Sequence, residues 1–191
     1  MKVGLYFGSF NPIHHGHLLI ASYMLQHAGL DQVWFVVSPQ NPLKRSGALL
    51  NEYHRLHLVR LAVEGEKQLK ASDIEFKLPK PSYTVDTLTY LEEKYPGEEF
   101  AVIMGSDSFQ NLPKWKNYQW LLQHYPVYVY RRPGHEKLPE YPDAKAIQIM
   151  DAPLLPISST EIRARIKAGQ SVRYQMPDAV LEEIEKSRYY R

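Results

Sequence analysis

Strand-like and helix-like segments alternate along nearly the whole chain. Residues 2–7 (KVGLYF) are β-branched and aromatic and stop at Gly8, which reads as a strand. Residues 32–37 (QVWFVV) are apolar almost throughout, as expected of a strand buried on both faces. Further strands are predicted over 71–76, 99–104, 127–131 and 147–150. Between them, Leu18, Leu19, Tyr23 and Met24 recur at helical spacing, with Gly29 as a stop. Tyr53, Leu56, Val59, Leu61 and Val63 mark a second helix, and residues 84–95 a third, closed by Pro96-Gly97. Helices over 117–124, 158–167 and 178–185 complete the series. Strands and helices in this succession make βαβ units with right-handed crossovers. The expectation is an α/β fold with a mostly parallel sheet flanked by helices. The length of 191 residues suits one domain spanning 1–191. No repeat or low-complexity tract divides it. Residues 133–143, with three prolines and one glycine, are the candidate mobile surface segment.

Composition removes several classes of chemistry. The chain has no cysteine, which excludes a disulfide scaffold, a thiolate nucleophile, a Cys zinc site and an iron–sulfur cluster. Lys and Arg number 23 against 21 Asp and Glu, and a net charge of +2 argues against a nucleic-acid footprint. The first residues, MKVGLYFGSFNPIHHGH, are interrupted by Gly8, Asn11, Pro12 and histidines, unlike a signal peptide. No window approaches the roughly 18 apolar residues of a membrane span. The expectation is a cytoplasmic protein with no membrane and no nucleic-acid partner. Homo-oligomer formation is left open.

In parallel sheets, ligands bind outside the carboxyl ends of the strands. The loop after the first strand carries the strongest signal there: Gly8-Ser9-Phe10-Asn11-Pro12-Ile13-His14-His15-Gly16-His17. Gly8 and Gly16 permit close backbone approach or positive φ. The following helix points its positive end at the loop. His14 and His17 add donors at the same place, and together these parts suit a polyphosphate. A neighbouring phosphate would raise the histidine pKa values. The alternatives are a turn with incidental histidines, or a transition-metal site of His14, His15 and His17 that lacks a carboxylate in the loop. A second signal is Ile157-Ser158-Ser159-Thr160-Glu161-Ile162-Arg163. Ser158 and Glu161 have capping-box spacing. Ser159 and Thr160 then fall in the first helical turn, an anion site, with Arg163 as a forked cation one turn on. The plainer alternative is an N-cap followed by a solvated arginine face.

The patterns G-x-F-x-P-x-H-x-G-H and I-S-S-T-x-I-R resemble those of the nucleotidyltransferase superfamily of adenylyl- and cytidylyltransferases. The resemblance implies a Rossmann-like fold and an ATP site formed by Gly8, Ser9, Phe10, His14, Gly16, His17, Ser158, Ser159, Thr160 and Arg163. It gives His14, His17 and Arg163 the catalytic roles. Three further strings, P-S-Y-T-V-D-T-L from Pro81, G-S-D-S-F from Gly105 and L-P-K-W from Leu112, look like those of bacterial nicotinate-nucleotide adenylyltransferases. That likeness covers nearly the full length. It implies a nicotinate mononucleotide site of Lys44, Tyr83, Thr84, Asp107 and Trp115. The implied reaction joins the AMP part of ATP to nicotinate mononucleotide, with Mg2+ bound mainly through the ATP phosphates. Two departures stand out: Asn11 where aspartate is commonest in the family, and a short loop over 38–44 (SPQNPLK).

The residues themselves are compatible with those roles. A pyridine ring needs a flat partner, which Trp115 offers. A carboxylate needs N–H donors, which the start of the Thr84 helix offers. Asp107, at a strand end, can accept ribose hydroxyls. Each has a plainer reading: Trp115 as a hydrophobic staple, Thr84 as an N-cap, Asp107 as a turn cap. Three rival functions are a transferase of the same superfamily acting on phosphopantetheine or nicotinamide mononucleotide or making a CDP-alcohol; a class I aminoacyl-tRNA synthetase fragment, for which the K-M-S-K-S-like loop and an anticodon domain are missing; and a nucleotide sensor or nucleic-acid module.

Overall fold

The computed structural model describes residues 1–40 and 49–191. The strands are β1 (Lys2–Gly8), β2 (Gln32–Val37), β3 (Leu69–Ser72), β4 (Glu99–Gly105), β5 (Val127–Tyr130) and β6 (Ile147–Met150). The helices are α1 (His15–His27), α2 (Glu52–Ala62), α3 (Thr84–Lys94), α4 (Ser106–Gln110), α5 (Tyr118–His124), α6 (Ser159–Lys167) and α7 (Asp178–Lys186). The six strands form one sheet in the order β3-β2-β1-β4-β5-β6, and every pairing is parallel. This is the Rossmann-like order. The winding reverses between β1 and β4, so their carboxyl ends leave a crevice.

Side chains alternate across the sheet and feed two cores. Tyr6, Val33, Phe35, Ala101, Ile103, Tyr128 and Tyr130 enter the first, with Ile20 and Met24 of α1, Leu56 and Val59 of α2, Ile162 of α6 and Ile184 of α7. Val3, Leu5, Trp34, Val36, Val102, Met104 and Val129 enter the second, with Leu88 and Leu91 of α3, Phe109 of α4 and Leu121 of α5. Both faces are thus covered, which is why β2 and β4 read as unbroken apolar runs.

Two segments depart from expectation. The strand predicted over 71–76 is a strand only to Ser72, and Ile74–Lys77 is a 3-10 turn. Ile74 and Glu75 are both buried, at 3% and 2% exposure, so consecutive residues turn inward and the alternation of a strand is lost. The loop after β4 contains α4 and a 3-10 turn over Leu112–Lys114. These pieces are too short for Phe109 and Leu112, three apart, to show a period in the sequence. Residues 133–143 carry no helix or strand, but Leu138 and Tyr141 pack on the second core. Among the described residues, no helix is long and apolar enough to cross a membrane.

Candidate active site

The loop from β1 to α1 is built around two imidazoles. His14 is the N-cap of α1, and its Nδ1 accepts the Gly16 N–H at 3.1 Å. His17 reaches back, and its Nδ1 accepts the His14 N–H at 3.3 Å. This is a capping box in which histidines replace the usual hydroxyl and carboxylate. A ring whose Nδ1 accepts carries its proton on Nε2, so in this arrangement both rings are Nε2–H donors. Burial pushes the pKa of His14 down to about 4, helped by Arg132 and His15. The expected rise from a neighbouring phosphate therefore starts from a neutral ring. A Cβ on Gly16 would sit 2.9 Å from the His14 ring, so glycine is there for close approach. Neither Gly8 nor Gly16 has positive φ; Phe10 does, at 45°. For a bulky residue that conformation costs about 1–3 kcal/mol. Packing holds it, because the Phe10 ring meets Tyr6, Phe35 and His17 edge-on at 5.1–5.7 Å between ring centres.

The start of α6 is sewn to the same loop. The Ser158 hydroxyl accepts the Glu161 N–H at 3.1 Å. The reciprocal half of the expected capping box is missing, because the Glu161 carboxylate pairs instead with Arg165 at 2.6 Å. Ser159 donates its hydroxyl proton to the Pro12 carbonyl at 2.9 Å. Arg163 donates from Nη1 to the Asn11 carbonyl at 2.8 Å and from Nη2 to Thr160 Oγ1 at 3.4 Å. The Ser159 proton, expected to serve an anion, instead fixes the jaw of the site.

The opposite wall comes from β4 and β5. A Cβ on Gly105 would lie 2.5 Å from Asp107 Oδ1 and 3.1 Å from both Tyr130 and Arg132, so its absence lets these three side chains converge. Asp107 and Arg132 form an ion pair at 3.0 Å. Arg132 lies 5.8 Å from the Tyr130 ring centre, and Tyr130 shares a hydroxyl–hydroxyl bond of 3.1 Å with Tyr6. Burial pushes both phenols up, so they stay protonated.

Between these walls lies a cleft of about 600 Å³. Gly8, Ser9, Phe10 and Asn11 line one side with His14 and His17. Residues 157–160 and Arg163 line another, and Asp107, Ser108 and Arg132 a third. The volume lies in the range of small-molecule sites. Asp107 is its one carboxylate among the described residues, against two guanidiniums and two imidazole donors. A polyanion fits that balance.

A second locus lies on the same carboxyl edge of the sheet. Tyr83 is the N-cap of α3 with no side-chain cap, and Thr84 begins the helix. Thr84 is therefore not the cap expected of it. Lys116 binds both oxygens of Asp86 at 2.8 and 3.0 Å and lies 4.9 Å from the Tyr83 ring centre. It joins the start of α3 to the segment carrying Trp115, which is half-buried against the second core.

Known proteins are similar to this chain in sequence and in fold. Residues 5–165 match the family model described as Cytidylyltransferase-like. A Flavobacterium psychrophilum protein named probable nicotinate-nucleotide adenylyltransferase is 50% identical over 192 residues, covering 100% of each chain. One of the same name from Bacteroides fragilis is 42% identical over 96% of this chain and 90% of its own. The chain belongs to the nicotinate-nucleotide adenylyltransferase family. The solved structure of Plasmodium falciparum nicotinic acid mononucleotide adenylyltransferase complexed with NaAD has the same fold, with a TM-score of 0.82 at 20% identity, over 99% of this chain and 97% of that one.

Within this nicotinate-nucleotide adenylyltransferase family chain, the expected ATP-site residues come together. Gly8, Ser9, Phe10, His14, His17, Ser158, Ser159, Thr160 and Arg163 all line the cleft. Gly16 does not; it is buried against the His14 ring. Of the expected mononucleotide residues, Asp107 lines the same cleft, while Tyr83, Thr84 and Trp115 belong to the second locus. Lys44 lies outside the described residues, as does the end of the short 38–44 loop. Asn11, the departure from the family pattern, is buried, and its Oδ1 accepts the Leu50 N–H at 3.2 Å. Arg132, Tyr6 and Tyr130 were missed in the sequence. For Arg132 the signal was there: an arginine directly beyond a strand's carboxyl end, in Arg131-Arg132-Pro133.

Proposed function

We propose that the chain transfers AMP from ATP to nicotinate mononucleotide, forming nicotinate adenine dinucleotide and pyrophosphate. The observation that carries the reading is the double-histidine cap, which occupies both Nδ1 atoms as acceptors and so leaves neutral Nε2–H rings on two residues lining a cleft that also holds Arg132 and Arg163. The 50%-identical relatives bearing the nicotinate-nucleotide name support the choice of acceptor.

The mononucleotide phosphate is already an anionic nucleophile. One of its oxygens attacks the α-phosphorus of ATP in line, the bond from that phosphorus to the β-phosphate oxygen breaks, and pyrophosphate leaves. No proton has to be removed and no covalent enzyme intermediate is needed. Catalysis reduces to placing two anions together and offsetting charge that grows on the leaving group. His14 orients the α-phosphate, and His17 and Arg163 meet the growing charge beside the amino end of α6. Mg2+ would accompany ATP and would neutralise charge on its phosphates, and a cleft with a single carboxylate, Asp107, among its described residues suits an ion that needs few protein ligands. Trp115 offers a flat face to the pyridine ring, and the first amides of α3 with Lys116 favour a carboxylate over an amide. Lys44 and Asp107 act on the nucleotide groups of the same substrate. We place the protein in the cytoplasm.

The deciding experiment is pyrophosphate release with Mg·ATP and, in turn, nicotinate mononucleotide, nicotinamide mononucleotide and phosphopantetheine. The highest kcat/KM is expected with nicotinate mononucleotide. Turnover with another acceptor and none with nicotinate mononucleotide overturns the reading.

A further inference from the structure

Two fully buried charges stand outside the cleft and have no part in the chemistry above. Arg55 of α2 is 0% exposed. Its Nε donates to the Leu50 carbonyl at 2.7 Å, its Nη1 to those of Ser9 at 2.6 Å and Ser38 at 2.9 Å, and its Nη2 to that of Pro39 at 3.3 Å. Among the described residues it makes no ion pair with a carboxylate. Glu75, in the turn after β3, is 2% exposed. It accepts the hydroxyls of Ser82 at 2.8 Å and Thr87 at 3.0 Å, and the polar side chain of Ser38 adds to the groups that offset the burial of its charge.

Ser38 is thus held from three sides. Arg55 takes its carbonyl at 2.9 Å, its N–H donates to the Gly8 carbonyl at 2.9 Å, and its side chain favours the charged form of Glu75. A continuous buried path runs from Ser9 through Arg55, Ser38 and Glu75 to Ser82 and Thr87. One end, Ser9, lines the cleft. The other end brackets Tyr83 and Thr84 at the start of α3. Burying an unpaired guanidinium is expensive, and well-packed apolar side chains commonly stabilise a core more. Every partner of this one is a loop carbonyl at the carboxyl edge of the sheet or just before α2. The two charges therefore tie together the segments that bear the two substrate loci.

We infer that Arg55 and Glu75 are positioning residues which, acting through Ser38, set the separation between the triphosphate cleft and the mononucleotide locus. This rests on the proposed adenylyl transfer. In-line attack needs the reacting atoms within about 3–3.5 Å, and a displacement of about 1 Å can cost about 100-fold in rate. Each locus keeps its own contacts when the path is cut, so binding of either substrate alone survives while the reaction between them slows.

The test uses full-length Arg55→Lys, Glu75→Gln and the double variant, with Ser38→Ala, which cuts the link to Glu75 and leaves both charges in place, covering any charge variant that fails to fold. Dissociation constants for Mg·ATP and for nicotinate mononucleotide are measured separately, then kcat with both saturating, beside the thermal midpoint. Expected are dissociation constants within about threefold of wild type, a kcat lower by about 10–100-fold, and a double variant no slower than the slower single one. Unchanged kcat, or losses confined to KM, in variants of an active wild type overturns the positioning role alone. A wild type inactive with nicotinate mononucleotide overturns the functional reading, and this role with it.

Discussion

The imidazoles of His14 and His17 lie face to face, 3.7 Å between ring centres and 27° from parallel, each held through Nδ1 by a backbone N–H of one helix turn. The pair is a preset double donor. A glutamine amide reaches the position of a histidine Nε2, whereas an asparagine amide reaches that of Nδ1. His17→Ala and His17→Asn are expected to lose about 10²–10³ in kcat, and His17→Gln to retain more. Steady-state pyrophosphate release ranks the three; equal rates for Gln and Asn would contradict an Nε2 donor.

The depressed pKa of His14 has a consequence for acid stability. Its folded pKa is about 4 against an ordinary 6.5, chiefly because burial disfavours the charged ring. Between those values the unfolded chain binds a proton that the folded chain refuses. Stability from this group is therefore complete above about pH 6.5 and lost as pH falls toward 4, by about 3 kcal/mol. His14→Asn keeps an N-cap acceptor but cannot titrate. Denaturant unfolding without nucleotide should show wild type losing more stability than this variant across the window. A difference independent of pH counts against it.

Gly16→Ala separates stability from activity. Alanine favours a helix by up to about 1 kcal/mol over glycine, yet its Cβ would meet the His14 ring at 2.9 Å. The expected result is a thermal midpoint near wild type with kcat reduced by at least about tenfold, as the ring is pushed out of line. Normal turnover would mean that the His14 position is not critical.

Trp115→Ala tests the second locus. Aromatic stacking on a base is worth about 1–3 kcal/mol, so KM for nicotinate mononucleotide should rise by about 5- to 150-fold. KM for ATP should stay near wild type. A rise in both, with a lowered thermal midpoint, returns Trp115 to the role of a core staple.

Much of this architecture could be read in advance because its signals are local. Strands such as QVWFVV are contiguous and apolar, and the histidine and I-S-S-T strings each sit on one loop. What escaped depends on partners distant in sequence. Arg55 lies one turn before Val59 on the flank of the apolar face of its helix, and only the meeting of two loops, one after β1 and one after β2, supplies the carbonyls that make its burial tolerable. Glu75 falls between Ile74 and Phe76 in the segment predicted as a strand, where alternation puts a polar residue on the solvent side. Tyr6 and Tyr130 are 124 residues apart, and only the order of β1, β4 and β5 brings their hydroxyls together. The split of the mononucleotide residues between cleft and second locus was equally hidden, since it follows from where α4 carries Asp107.

The ties from Ser159 to Pro12 and from Arg163 to Asn11 span 147 and 152 residues. During synthesis the first loop emerges early, but its clamp arrives only with α6. A nascent chain can therefore lay down β1 to β5 and still lack a closed phosphate site. Catalytic competence should switch on near the end of translation rather than accumulate along it, and ATP should offer little help to earlier folding steps.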